Sequence, residues 1–236
     1  NMEKQKKILI VTPKFPYPAT GACEQDRAVG MEWFVDHGFE VRVISKTALP
    51  SAVEEARIVD RKFGIKTTLI PYLRARWNLR RMLNPLYWDG AAFEYTDPTI
   101  RAELQRALVE YKPDLVFATD VQNELDVRIL QEAKKARVKT LGMVRSWDNL
   151  TSKGILRVLP DELVVHNETV KSEAIKYNFI SPRKIKVVGI PHYDKYVLPP
   201  RISKQEFFKR FGFDLSKKLI LYAPIGDRYI HDNQTD

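Results

Sequence analysis

What most constrains this chain is the alternation of short apolar runs with stretches of helical period. Lys7 to Pro13 (KILIVTP), Glu40 to Lys46 (EVRVISK), Asp114 to Thr119 (DLVFAT), Val138 to Val144, Glu162 to Asn167 (ELVVHN) and Lys184 to Pro191 (KIKVVGIP) each read as a strand, with a weaker one at Ile65 to Tyr72. Continuous apolar runs suit strands covered on both faces, which is the situation in a parallel sheet. Between them, Gln25 to His37 spaces Ala28, Met31 and Val35 along one helix face and stops at the His37-Gly38 pair. Asp97-Pro98 opens a helix with one apolar stripe of Ile100, Leu104, Ala107, Leu108 and Tyr111. Leu125, Ile129, Ala133 and Ala136 mark another, and Glu168 to Tyr177 a fourth. Strands alternating with amphipathic helices predict βαβ units. The expected fold class is therefore α/β: a Rossmann-like parallel sheet of about seven strands with helices on both faces.

Beyond Pro191 the texture changes. His192 to Ile202 reads as a linker, and Ser203-Lys204-Gln205-Glu206 is a capping box that opens a short helix ending near Gly212. Lys218 to Pro224 (KLILYAP) is a further apolar run of strand type. One helix and one strand cannot bury a core, so this strand is expected to join a larger sheet. The organisation read from the sequence is residues 2–191 as an N-terminal domain, 192–202 as linker and 203–236 as the start of a second α/β domain.

Composition narrows the function classes. A lone cysteine, Cys23, excludes internal disulfides and cysteine-based metal clusters. The histidines at 37, 166, 192 and 231 show no metal-ligand spacing, so no metal is expected. No run of about 18 apolar residues exists, and Ile8 to Val11 is too short for a secretory signal. A cytoplasmic protein is expected. The net charge of +9 either solubilises the surface or attracts a polyanion, such as anionic lipid, a phosphorylated substrate or nucleic acid.

In an open parallel sheet, ligands bind beyond the carboxyl ends of the strands, so the residues that follow each strand are the candidates. Strand one leads to Lys14 and then to Gly21, Glu24, Asp26 and Arg27. Strand four leads to Asp120, Gln122 and Asn123, and strand six to His166, Asn167 and Glu168. Strand seven leads to His192, Tyr193 and Asp194. Strand five leads to the richest segment, Arg145 to Gly154 (RSWDNLTSKG). There Asp148 and Asn149 suit sugar hydroxyls, Trp147 a sugar face, and Arg145 or Lys153 a phosphate. Asp120, directly after a buried strand, suits a base acting on a hydroxyl, or a turn-capping role. His166 reads equally as structural or catalytic. Gly21 suits close backbone approach at a helix N-terminus. Cys23 has no evident base beside it and reads as inert.

Several chemistries lack their motifs. GxGxxG, GxxxxGK[ST] and GxSxG are all absent, which argues against dinucleotide-linked hydride transfer, P-loop chemistry and serine hydrolysis. Tyr72 to Trp88 interleaves Arg74, Arg76, Arg80 and Arg81 with Trp77, Tyr87 and Trp88. That mixture suits contact with an anionic membrane surface, or an amphipathic helix with a solvated basic face. A nucleic-acid partner is not expected.

The opening KILIVTPKFPYPATGACEQDRA resembles the start of GT-B glycosyltransferases. SWDNLTSKG, ELVVHNETVKSEAIKY and KIKVVGIPHYDKY resemble bacterial surface-polysaccharide transferases and the CDP-glycerol glycerophosphotransferases, and KKLILYAPIG resembles the first strand and loop of their second domain. The resemblance runs in order through residues 7 to 226. It implies an acceptor-binding N-terminal domain and a C-terminal domain for a nucleotide sugar or CDP-polyol donor, which is a substrate, with no cofactor. It implies that Gly21, Glu24 and Arg27 face the interdomain cleft, and that Asp120, Arg145, Asp148, Asn149 and Lys153 serve the acceptor or the catalysis. Pro224 to Gly226 would begin the donor-diphosphate loop. Two departures stand out: Gly21-Ala22 replaces the family's paired glycines, and most of the donor domain lies outside this sequence. The expected function is transfer of a sugar or polyol phosphate to a hydroxyl acceptor, a sugar or lipid-linked glycan, in cell-surface polysaccharide synthesis. The chain alone is expected to be inactive. Alternatives are a sugar-nucleotide epimerase of the same architecture and a non-catalytic membrane or partner-docking module.

Overall fold

The computed structural model describes residues 5–19, 21–47, 51–71 and 98–222. The chain divides into two units, residues 1–194 and 195–236. The first holds a seven-stranded sheet: β1 (Lys7–Thr12), β2 (Glu40–Thr47), β3 (Lys66–Pro71), β4 (Leu115–Ala118), β5 (Lys139–Met143), β6 (Glu162–Val165) and β7 (Ile185–Val187). Every pairing is parallel and the spatial order is β3-β2-β1-β4-β5-β6-β7. The helices are α1 (Ala22–Asp36), α2 (Ser51–Phe63), α3 (Pro98–Tyr111), α4 (Glu124–Lys135), α5 (Asn149–Ser152) and α6 (Glu168–Asn178).

Strand alternation sorts the core into two faces. Leu9 and Val11 of β1 join Val116 and Ile44 against α3 (Leu104, Leu108) and α4 (Leu125, Ile129). Ile8 and Ile10 point the other way, with Val41, Val43 and Phe117, against Met31 of α1 and Val59 of α2. A third cluster carries β6, with Val144 just beyond β5, onto Val170 and Ala174 of α6. Helices therefore cover both faces, as the continuous apolar runs require. Tyr111 closes the end of α3 with its hydroxyl donating to Glu40 O at 2.7 Å, and the Arg42 guanidinium lies 4.3 Å from its ring centre.

The chain leaves β1 towards β2 and β3 on one side, then returns past β1 to β4 on the other. Neighbouring connections diverge between β1 and β4, which opens a crevice at their carboxyl ends.

Several boundaries differ from the sequence reading. α1 begins three residues earlier than expected, at Ala22 with Gly21 as its N-cap. α2 was not anticipated, because Ala56 and Val59 are the buried residues of a mostly polar helix. The seventh strand is shorter than the expected Lys184–Pro191: Val188 is exposed, and Gly189 takes φ +77° before a 3-10 turn over Pro191–Tyr196. That turn also occupies the first part of the expected linker.

The second unit contains α7 (Lys204–Phe211). Ser203 Oγ accepts the Glu206 backbone N–H at 3.1 Å, and Gly212 at φ +67° ends the helix. The expected strand from Lys218 is not formed over residues 218–222, where Ile220, Leu221 and Tyr222 are exposed. An isolated strand has no ladder partner for its amides, and no such partner occurs among the described residues. Pro224 and Gly226 lie outside the described residues, as do Arg74, Arg76, Trp77, Arg80 and Arg81. Among the described residues no helix is long and apolar enough to cross a membrane.

Gly142 in β5 is a close-approach position: a methyl group there would overlap Val121 Cγ1 and Pro160 Cγ. Gly142→Ala is expected to cost about 1–3 kcal/mol through overpacking, and Leu104→Ala, at a fully buried site, about 2–5 kcal/mol. Urea unfolding followed by far-UV circular dichroism checks both.

Candidate active site at the carboxyl rim of the sheet

The first turn of α1 organises the site. Residues i, i+3 and i+4 of a helix share a face, so Cys23, Asp26 and Arg27 stand together. Each engages a group that arrives from a different strand end. Arg145, beyond β5, donates Nε–H to Cys23 Sγ at 3.1 Å. His192, beyond β7, donates its backbone N–H (2.9 Å) and directs its ring Nδ1 (2.8 Å) to Asp26 Oδ1. Arg27 is 4% exposed, and its charge acts on Asp126 in the first turn of α4.

Asp120 sits just beyond β4, at the crevice, and is 2% exposed. Its Oδ2 lies 3.6 Å from Arg145 Nη1, and its backbone N–H donates to Asp126 Oδ1 at 2.8 Å. Asp126 is fully buried. Burial above all, and the neighbouring Asp120 charge, push its carboxyl well above the ordinary carboxylate range, against the opposing pull of the Asp120 N–H, Arg27 and Lys46. The Arg145 guanidinium is strengthened as a cation, first by its bond to Cys23 and then by the charges of Asp120 and Glu24, against a burial cost.

Glu24 folds back over the N-terminus of α1. Its carboxylate meets Lys14 Nζ at 2.7 Å and occupies the space in which a Cβ at Gly21 would stand. Burial pushes this carboxyl up, but the Lys14 and backbone N–H bonds and the charges of Lys14 and Arg27 outweigh it, so the net shift is downward. His166, at the end of β6, is buried. Burial lowers its pKa, Asp26 opposes and His192 adds to the lowering, and its buried Nε2 has no hydrogen-bond partner among the described residues. Arg27 Nε and Nη2, Thr119 Oγ1, Asp120 Oδ1, Asp126 Oδ2 and Asn149 Nδ2 also lack hydrogen-bond partners while buried. Buried polar atoms of this kind are ordinarily satisfied by water or a ligand.

The β5 loop is stapled over the β4 end. Gln122 Nε2 donates to Asn149 O (3.0 Å) and Gly154 O (2.9 Å), and Arg157 pairs with Glu124. Within this loop the candidates divide. Arg145 reaches the α1–Asp120 cluster and Asn149 is buried beneath the loop. Asp148 bonds the hydroxyls of Ser146 and Ser152 in its own loop, and the first of these chiefly lowers its carboxyl pKa. Trp147 is 72% exposed and Lys153 is exposed, both on the solvent side. Glu168 is likewise exposed and pairs with Lys171 at 3.4 Å. The structure thus brings Glu24, Arg27, Asp120 and Arg145 into one network and sets His166 beside Asp26. Asp148, Trp147, Lys153 and Glu168 stand outside that network, in the β5 loop or in solvent.

Asp126, Asp26 and His192 carry much of this geometry; the sequence named Asp26 and His192 among the strand-end candidates without assigning them a role, and did not point to Asp126. The signal for Asp126 was its spacing: six residues after Asp120, in the first turn of the following helix, where it faces back to the strand end. At the opposite rim an open cavity of about 710 Å³ is lined by Leu115, Lys134, Arg137, Thr140 and Asp161. Asp161 there is satisfied by the Thr140 N–H (2.9 Å) and hydroxyl (2.8 Å), and Lys134 and Arg137 are exposed to solvent. The unpaired buried atoms of Arg27, Thr119, Asp120, Asp126 and Asn149 lie at the carboxyl rim instead.

The Asp126 shift has a defined sign. A carboxyl raised in the folded state keeps its proton where the unfolded chain has lost it, so stability falls as pH rises from about 4 towards the raised value. Asp126→Asn retains an oxygen for the Asp120 N–H and cannot ionise. Its stability relative to the native protein is therefore expected to increase between pH 4.5 and pH 7.5, measured by urea denaturation at both.

No protein-family model matches the sequence, and no curated protein matches it. Solved structures do resemble it. UDP-GlcNAc 2-epimerase from Neisseria meningitidis bound to UDP-GlcNAc is 15% identical over 89% of this chain and 54% of that one, with a TM-score of 0.53. UDP-GlcNAc 2-epimerase from Methanocaldococcus jannaschii is 15% identical over 81% and 47%, at 0.51. Arabidopsis thaliana UGT89C1 complexed with quercetin, a plant UDP-glycosyltransferase, is 16% identical over 89% and 55%, at 0.50. The chain spans about half the length of each of these structures. At such identities the likeness concerns fold: a Rossmann-like sheet of the kind found in GT-B proteins that handle sugar nucleotides.

Proposed function

We propose that this chain carries the acceptor-side half of a GT-B glycosyltransferase that moves a sugar or polyol phosphate from a nucleotide-activated donor to a hydroxyl acceptor in cell-surface polysaccharide synthesis. The observation that carries this reading is the Asp120–Arg145 pair, 3.6 Å apart at the crevice between β1 and β4, walled by Glu24 and Arg27 of α1. Asp120 is suited to accept a hydrogen bond from the acceptor hydroxyl and so to aim its oxygen. Arg145, a cation in a half-buried setting, is suited to the negative charge that collects as the nucleotide leaves. In the reaction the acceptor oxygen bonds to the transferred carbon or phosphorus, the bond to the nucleotide breaks, and the hydroxyl proton passes to a base. Trp147, exposed on the loop above, offers a face for a sugar ring. The GT-B likeness supports a sugar-nucleotide enzyme, and it supports an epimerase equally.

Product analysis separates the two. The 236-residue chain alone is expected to bind a glycan acceptor weakly and to release no nucleotide from UDP- or CDP-activated donors; turnover by the chain alone overturns the half-enzyme reading. Expressed with its natural flanking sequence, it is expected to form an acceptor-dependent glycoside or phosphodiester, detected by mass spectrometry. Asp120→Asn is expected to lower kcat by about 10²–10⁴. An acceptor-independent UDP-hexose inverted at C2 would establish the epimerase instead.

A further inference from the structure

Of the groups gathered on α1, the His192–Asp26 pair is the one that the proposed reaction has not used. Asp26 is 6% exposed and His192 is largely covered. One carboxylate oxygen, Asp26 Oδ1, receives both the backbone N–H and the ring Nδ1 of His192, at 2.9 and 2.8 Å. Two bonds to a single buried oxygen hold the main chain and the ring to the same point, so the imidazole cannot swing without losing the ring bond. An Nδ1–H donated to a carboxylate leaves the lone pair on Nε2, which is the arrangement of an oriented proton acceptor. His166 interacts electrostatically with both Asp26 and His192, and burial disfavours its charged form.

Position favours the same role. Asp26 lies three residues from Cys23, the partner of Arg145, and one residue from Arg27. Side chains at that spacing are about 5–6 Å apart at Cβ on one helix face. His192 and the guanidinium that pairs with Asp120 are thus anchored on neighbouring positions of one helix face, Asp26 and Cys23. A 3-10 turn over Pro191–Tyr196 immediately beyond β7 presents it there.

We infer that His192 is the proton-accepting residue of this rim, held in its working tautomer by Asp26. This inference rests on the transferase reading for its substrate. The acceptor hydroxyl gives its proton to His192 Nε2, its oxygen attacks the donor, and the nucleotide departs with the bonding pair. Asp26 stabilises the imidazolium, which later returns the proton to water. Asp120 then aims the hydroxyl rather than deprotonating it.

The test starts with readouts that need no substrate. In the whole chain labelled with 15N-histidine, two-bond 15N–1H spectra are expected to show His192 as the Nδ1–H tautomer, and Asp26→Asn is expected to remove that preference. Diethyl pyrocarbonate followed by peptide mass mapping is expected to modify His192 about tenfold or more faster in the native chain than in Asp26→Asn. His166 should stay protected in both and reports whether the variant is folded. An Nε2–H tautomer at His192 in the native chain overturns the proposal. So does equal His192 reactivity in a variant whose His166 remains protected. If Asp26→Asn unfolds, the native tautomer decides. With the natural flanking sequence, His192→Gln is expected to lower kcat by about 10²-fold or more with KM little changed, and an unchanged kcat overturns the proposal. Absence of any transfer by the native enzyme counts against the transferase reading alone, because tautomer and reactivity report on His192 without it.

Discussion

Buried charge is what the rim of this domain has to accommodate. Glu24, Asp26, Arg27, Lys46, Asp120 and Asp126 are each less than one-tenth exposed. An ion taken out of water costs several kcal/mol unless partners are supplied, so these groups cannot sit independently. The first turn of α1 supplies the common surface on which they meet. Three of its residues, Cys23, Asp26 and Arg27, bind or face groups from beyond β5, from beyond β7 and from α4. A parallel sheet brings strand ends to one edge, but it does not by itself make their side chains converge. The helix that crosses above that edge does.

The same logic explains why the chemistry lies at one rim only. At the amino ends of β4, β5 and β6, Asp161 bonds the N–H and the hydroxyl of Thr140, and Lys134 and Arg137 remain in solvent. That rim is arranged for stability and has a cavity without unpaired buried groups. The carboxyl rim keeps Arg27, Thr119, Asp120 and Asp126 with buried polar atoms that find no hydrogen-bond partner among the described residues. Stability alone would favour closing those gaps. A ligand that brings its own hydroxyls and charges closes them differently.

The fold was legible because both periods were strong. β1, with every residue from Ile8 to Thr12 buried, and α4, with Leu125, Ile129 and Ala133 on one face, could be read from spacing. α2 could not, since its stripe is Ala56 and Val59 in a mostly polar helix. The run from Lys218 is not a strand over residues 218–222, in keeping with the expectation that it needs another strand to pair with. The site was legible at the level of strand ends, which placed Asp120, Arg145, His166 and Glu24 correctly beyond β4, β5, β6 and β1. Which of them would meet was not legible. Sequence position does not distinguish Arg145, which turns in to Cys23 and Asp120, from Asp148 three residues on, which turns to its own serines. That choice is made by α1 and by the Gln122 staple, both distant in the chain.

Like residues in this rim are also set apart by their surroundings. Asp120 faces a guanidinium across 3.6 Å, whereas Asp126 behind it is fully buried and pushed towards its neutral form. His192 has a carboxylate on Nδ1, whereas His166 is buried with its Nε2 unpaired and its pKa lowered by burial. In each pair one member is given a charged partner, and burial disfavours the charged form of the other. Two identical side chains at equal burial would compete for the same proton, and neither would hold a defined state. Separating them by environment is the condition for assigning acid and base roles within one cluster. Here it comes from α1, whose Asp26 is committed to His192 through two bonds.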